Sequence, residues 1–141
     1  MDTNLQLMQP VVGLVIWSFV MWLWLYATRL PAIAAMKLTL DPSAPSGALM
    51  SKLPAKVRWK ADNYNHLMEQ PTVFYALALS LVFLGEATTV NVYAAWTYVV
   101  LRVAHSLVHA LANKIELRFG LFVLSNIPLA ILTFNAAKAV F

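Results

Sequence analysis

The chain has no cysteine, which excludes disulfides and thiolate metal sites and leaves the redox compartment unread. Charge is also scarce: 11% of residues are charged, against about 25% in a soluble domain. In their place, 61% of residues are hydrophobic, well above the usual ~45–50%. Composition therefore points to an integral membrane protein. The formal net charge of +4 is too small, on so apolar a chain, to suggest a nucleic-acid partner. The opening "MDTNLQLMQP" carries no Lys or Arg, whereas a cleaved signal peptide begins basic, so the first apolar segment is expected to be retained. Without Cys, and with Asp at position 2, no lipidation motif is present.

Four stretches are apolar enough to cross a bilayer. "VVGLVIWSFVMWLWLYAT" has no charge over residues 11–28, close to the ~20 residues that span a ~30 Å hydrocarbon core. "PTVFYALALSLVFLG" (71–85) is short, and the preceding "AKVRWKADNYNHLMEQ" extends it as a polar helical approach. The expectation is one all-α membrane domain over 1–141, with spans near 10–30, 60–86, 90–112 and 118–138 and a loop at 31–59. Lipid admits only helices or closed barrels, and no internal repeat is visible. Arg29, Lys37, Lys52, Lys56, Arg58 and Lys60 lie between the first two spans, and Lys114 and Arg118 between the last two. Only Lys138 stands on the opposite side. The positive-inside rule then makes both basic loops cytoplasmic and both termini periplasmic, if the membrane is a bacterial inner membrane.

The third span carries a polar stripe. Tyr98, Arg102, His105, Ser106, His109 and Asn113 share one helical face. Arg102 precedes Asn113 by eleven residues, or about 16 Å at a rise of ~1.5 Å. That depth puts the guanidinium near the midplane, where an unpaired Arg costs at least ~2.5 kcal/mol. On the second helix Arg58, Asp62, Asn65 and Glu69 also share a face, with Glu69 just before Pro71. Glu69 is the expected partner of Arg102, with Asn65 and His66 or Asp62 above it. Proline there withdraws an N–H and frees a backbone carbonyl near the site. A purely structural role competes: intramembrane Ser, Asn and His often hold helices together, and an Arg–Glu pair binds nothing by necessity. His105 and His109 lack a third ligand at metal spacing, so no metal is expected. A proton path along His109, His105 and Arg102 lacks polar continuation to the far side.

"NHLMEQPTVFYAL" followed by "LRVAHSLVHALANKIELRFGLFVLSN" resembles the MAPEG family, the membrane-associated proteins in eicosanoid and glutathione metabolism, and looks closest to its bacterial members. The resemblance spans residues 10 to 140. It implies a homotrimer with glutathione as co-substrate at cytoplasm-facing sites between subunits, and a lipophilic substrate arriving from lipid. Residues matching the glutathione shell are Arg29, Asn65, Glu69, Arg102 and His105. His109 stands where the synthases have Tyr, and Arg118 matches the arginine that stabilises the thiolate. Departures accompany the match. Phe122 replaces a second Tyr, "ADNYNHLM" lacks the arginine cluster that precedes the Glu in eukaryotic members, and Asn65 lies four residues before Glu69 rather than three. The expected activity is transfer of glutathione or another small thiol to a lipophilic electrophile. The competing expectation is a non-catalytic membrane protein whose Arg/Glu/His network is structural or binds an anionic lipid or ligand.

Overall fold

The computed structural model describes residues 2–141. Helix α1 runs Thr3–Ala35, capped by the Asp2 carboxylate, which accepts from the Asn4 amide at 3.0 Å. Its buried positions are Leu7, Val11, Leu14, Ser18, Met21 and Leu25, with Pro10 beside Val11; the alternation of four and three makes one narrow seam. Ile16, Phe19, Leu23 and Leu30 face outward and are just as apolar. Apolar residues on both the inner and the outer face suit a helix whose surroundings are lipid. α1 ends at Met36–Lys37, where Lys37 adopts φ +50 and the Leu38 amide reaches back to the Ile33 carbonyl. The connection that follows contains one short 3₁₀ turn, Met50–Lys52, and buries Leu53.

Two short helices follow, α2 (Ala55–Leu67) and α3 (Pro71–Phe83). Between them the bonds tighten to i→i−3, with the Met68 amide on Asn65 and that of Glu69 on His66. Pro71 supplies no N–H to continue the ladder and is well suited to the first position of α3. Gly85, at φ +74, ends α3, because the left-handed conformation costs a glycine nothing. Thr88 caps α4 (Thr89–Leu111), and a short turn leads into α5 (Ile115–Val140). α4 packs most extensively on α5; α1 covers α2, α3 and α4; α2 also meets α4, and α3 meets α5. At the centre the Phe74 and Tyr98 rings stack at 4.6 Å.

By length and apolarity alone, α1 and α5 are membrane-spanning candidates. α4 has 23 residues, which is ~35 Å of helix and long enough to cross, but its polar stripe lowers its apolarity.

Candidate functional site

The polar stripe of α4 faces inward. Arg102 and Ser106 are wholly buried, His105 is 1% exposed and His109 4%. Little solvent reaches these groups, so each needs a hydrogen-bond partner. α2 supplies two of them. The Asn63 amide donates to Ser106 Oγ. Arg102 Nη2 lies 2.8 Å from His66 Nδ1 and 3.4 Å from the His66 carbonyl oxygen. A guanidinium only donates, so Nδ1 accepts and the proton of a neutral His66 ring sits on Nε2. The His66 carbonyl that faces Arg102 also accepts from the Glu69 amide at 3.4 Å, and the carbonyl deprived of a donor by Pro71 is that of Leu67, four residues earlier.

The expected Glu69–Arg102 pair does not form. Among the described residues no ion pair joins them, and Glu69 points outward with Arg58, Asp62 and Asn65. The stripe at 58, 62, 65 and 69 exists, but it is the outer face of α2. The buried face is Asn63, Leu67 and the inward-turned His66, continuing to Gln70 after the break. Packing selects this face because it aligns Leu67 with Pro71 and Phe74 of α3, all buried. The residue three before Glu69 is His66, and it is the one turned toward Arg102.

Around the guanidinium the rings form a compact set. His66 and His105 stack at 4.7 Å with 26° between planes, and His109 stands edge-on to both, at 6.1 and 5.8 Å. Phe122 of α5 lies under Arg102, with Cζ 5.6 Å from the ring centroid, a cation–π contact. Arg118 is held by Asn113, whose Oδ1 accepts from Nη1 at 2.8 Å. On the other side Tyr98 donates to Gln70 Oε1 at 3.4 Å, and Gln70 donates to Asn126 Oδ1 at 2.7 Å.

Several buried donors and acceptors in this cluster stay unpaired: Arg102 Nε and Nη1, and Nδ1 of His105 and of His109. A buried polar atom without a partner costs about 1–3 kcal/mol, more when charged. Two arginines and three imidazoles without a carboxylate in contact make a site suited to an anion that accepts hydrogen bonds. The imidazoles add groups able to take or give a proton. Among the described residues no group of three His, Cys, Asp or Glu is disposed to hold a metal ion.

Arg29 and Asn65 lie elsewhere. They line a groove of about 350 Å³ with Arg58, Asp62 and Ser51. Arg29 Nε is buried there without a partner. Asn65 and His66 are consecutive and point ~100° apart on a helix, so within one chain the residues expected to form a single shell divide into two groups. Arg102, His105, His109 and Arg118 gather in one, Arg29 and Asn65 in the other, and Glu69 sits outside both. The sequence marks His66 only as a neighbour of Glu69, and Phe122 only as a departure from the family. The polar spacing of α2 favoured the wrong face, and only the apolar register of Leu67 and Phe74 carried the signal.

No curated protein matches the chain, and no solved structure does. A model of the MAPEG family matches residues 7–138, from within α1 to within α5. That span holds every residue of the cluster, and the chain belongs to the MAPEG family, an integral membrane protein from the group concerned with glutathione and eicosanoid metabolism.

Proposed function

We propose that this protein is a membrane-bound transferase that joins glutathione, or another small thiol, to lipophilic electrophiles. The observation that carries the reading is Arg102: wholly buried, with Nε and Nη1 unpaired and no carboxylate in contact. A thiol substrate rich in carboxylates supplies the missing acceptors, and arginine pairs with carboxylates bidentately. Arg118, at the mouth of the same cluster, stabilises the thiolate, and a nearby cation is what lowers a thiol's pKa. The thiolate sulfur then attacks the electrophilic carbon, forming a C–S bond as the leaving group departs with its electron pair.

The active form is a homotrimer of four-span subunits. Its shell is completed between subunits, with the Arg29–Asn65 groove of one copy facing the Arg102–His105 cluster of its neighbour. The division of these residues on two faces of α2 supports such sharing. The site opens to the cytoplasm, and both termini are periplasmic in a bacterial inner membrane. Both are supported by the basic residues between the first two spans, Arg29, Lys37, Lys52, Lys56, Arg58 and Lys60, and by Lys114 and Arg118 between the last two.

A second reading, a non-catalytic protein with a structural or anion-binding network, draws on Phe122. Its ring packs on Arg102 and offers no hydroxyl to a substrate. One experiment separates them. Detergent-purified protein is assayed with millimolar glutathione and 1-chloro-2,4-dinitrobenzene, beside a binding isotherm for glutathione. Turnover is expected, and Arg118→Ala is expected to lower it by at least about tenfold, in the range of lost electrostatic stabilisation, at unchanged thermal midpoint. Absence of both binding and turnover sinks the transferase reading.

A further inference from the structure

At the end of the bundle away from the basic loops, a cavity of about 390 Å³ is lined by Glu86, Thr88, Asn91, Asn135 and Lys138. Charge is rare on this side of the chain, yet an acid and a base share one cavity. Among the described residues neither has an ion-pair partner. The walls are fixed by a buried amide relay. Asn135 donates to Asn91 Oδ1 at 2.6 Å, and Asn91 donates to the Glu86 carbonyl at 2.7 Å. That carbonyl also accepts from the Thr88 amide at 2.7 Å, while Thr88 Oγ1 accepts from the Asn91 amide. Among the described residues Thr88 Oγ1 donates no hydrogen bond, so its proton is available. Asn91 is 1% exposed, so this relay is built into the fold, and it ties the α3–α4 turn to α5.

A second, apolar groove of about 610 Å³ is lined by Leu79, Val82, Phe83, Leu84 and Val140, residues that adjoin the polar cavity's walls in sequence. Leu84 leads to Glu86 on one wall, and Lys138 leads to Val140 on the other. A polar cavity holding opposite charges, with an apolar groove at the same end of α3 and α5, has the form of an amphiphile site.

We infer that this end of the molecule binds a zwitterionic phospholipid with a primary ammonium headgroup, of the ethanolamine type. Lys138 and the Thr88 hydroxyl take the phosphate, Glu86 takes the ammonium, and an acyl chain lies along Leu79 and Phe83. The acid decides between headgroups. A primary ammonium donates three hydrogen bonds to acceptors such as Glu86, whereas a trimethylammonium donates none and favours aromatic cages. An anionic headgroup meets like-charge repulsion from Glu86.

The test is native mass spectrometry of the intact detergent-solubilised protein. It is titrated in parallel with dioleoyl phosphatidylethanolamine, phosphatidylcholine, phosphatidylglycerol and water-soluble glycerophosphoethanolamine. The ethanolamine lipid is expected to be retained about threefold over the other two lipids, the factor one exposed ion pair supplies. Glu86→Gln and, separately, Lys138→Gln are expected to remove that preference, and Glu86→Lys to shift it toward phosphatidylglycerol. Both side chains are exposed, so thermal midpoints are expected to hold, and either neutral variant serves if the other misfolds. Equal retention of the three lipids overturns the inference, as does a preference that survives both neutral substitutions. Binding of glycerophosphoethanolamine as tight as that of the lipid also overturns it, since the site would then serve a soluble zwitterion.

Discussion

Arg102 Nη2 lies 2.8 Å from Nδ1 of His66, so the acceptor that meets the buried guanidinium is an imidazole at the end of α2. This changes what the cluster is. An arginine neutralised by glutamate would be a closed structural pair. An arginine held by a neutral ring keeps its full charge and, with Nε and Nη1 unspent, is left to bind.

Stability measurements distinguish the two partners. His66→Leu removes the acceptor and leaves Nη2 only the carbonyl at 3.4 Å, which is expected to cost about 2 kcal/mol. Adding Arg102→Leu removes the orphaned charge, so the double variant is expected to be more stable than His66→Leu alone. Glu69→Gln, on the outer face, is expected to change stability by less than about 0.5 kcal/mol. Unfolding in mixed detergent micelles reads all three, and a large loss for Glu69→Gln would restore the glutamate as partner.

In the connection after α1, Asp41 Oδ1 accepts from the Ser43 hydroxyl at 2.6 Å and its amide at 2.9 Å. These bonds hold the carboxyl below the usual aspartate range, the hydroxyl contributing most. A depressed carboxyl favours the fold above its unfolded pKa, and that contribution fades as pH falls through the folded value. Ser43→Ala keeps the amide bond and loses the hydroxyl. The Asp41 midpoint is expected to rise, read from its carboxyl-carbon chemical shift; an unmoved midpoint would exclude the hydroxyl as the cause.

Glycine substitutions test the helix packing. A Cβ at Gly13 would meet Trp96 ring carbons at 3.7 and 3.8 Å, an ordinary contact. Gly13→Ala is therefore expected to stabilise by up to about 1 kcal/mol through helix propensity. Gly85 has open space around it but φ +74, and Gly85→Ala is expected to cost about 1–2 kcal/mol in backbone strain. Thermal midpoints moving in opposite directions check both. A loss at Gly13 would mean that α1 and α4 approach more closely than these distances allow.

The all-helical class and the polar face of α4 were legible because each rests on a pattern spread over many residues. One misplaced residue does not disturb the periodicity linking Tyr98, Arg102, His105 and His109. The face of α2 was harder to read. Two stripes one residue apart compete there, Arg58–Asp62–Asn65–Glu69 and Asn63–His66–Leu67–Gln70, and a shift of one residue turns a helix by ~100°. Charge drew attention to the first. Burial of Leu67 and Phe74 selects the second, through a break at Met68–Gln70 whose geometry depends on tertiary packing. The far-side relay of Asn91 and Asn135 joins residues 44 apart, and no local pattern announces such a pair.

Asn113 combines two roles that substitution can separate. Its backbone has φ +48, a conformation Asn tolerates and Gly adopts freely. Its amide bonds the Val108 carbonyl at 2.6 Å to close α4, and its side chain holds Arg118. Asn113→Gly preserves the turn and releases the arginine, so stability is expected to stay within about 0.5 kcal/mol of the parent. Asn113→Ala releases the arginine and strains the turn, at an expected cost of about 1 kcal/mol or more. If Arg118 must be aimed to stabilise a thiolate, both variants lower kcat/KM for the thiol to a similar degree while only the alanine variant loses stability. Activity that instead follows stability across the pair would show that Asn113 serves the fold alone and that Arg118 needs no holding.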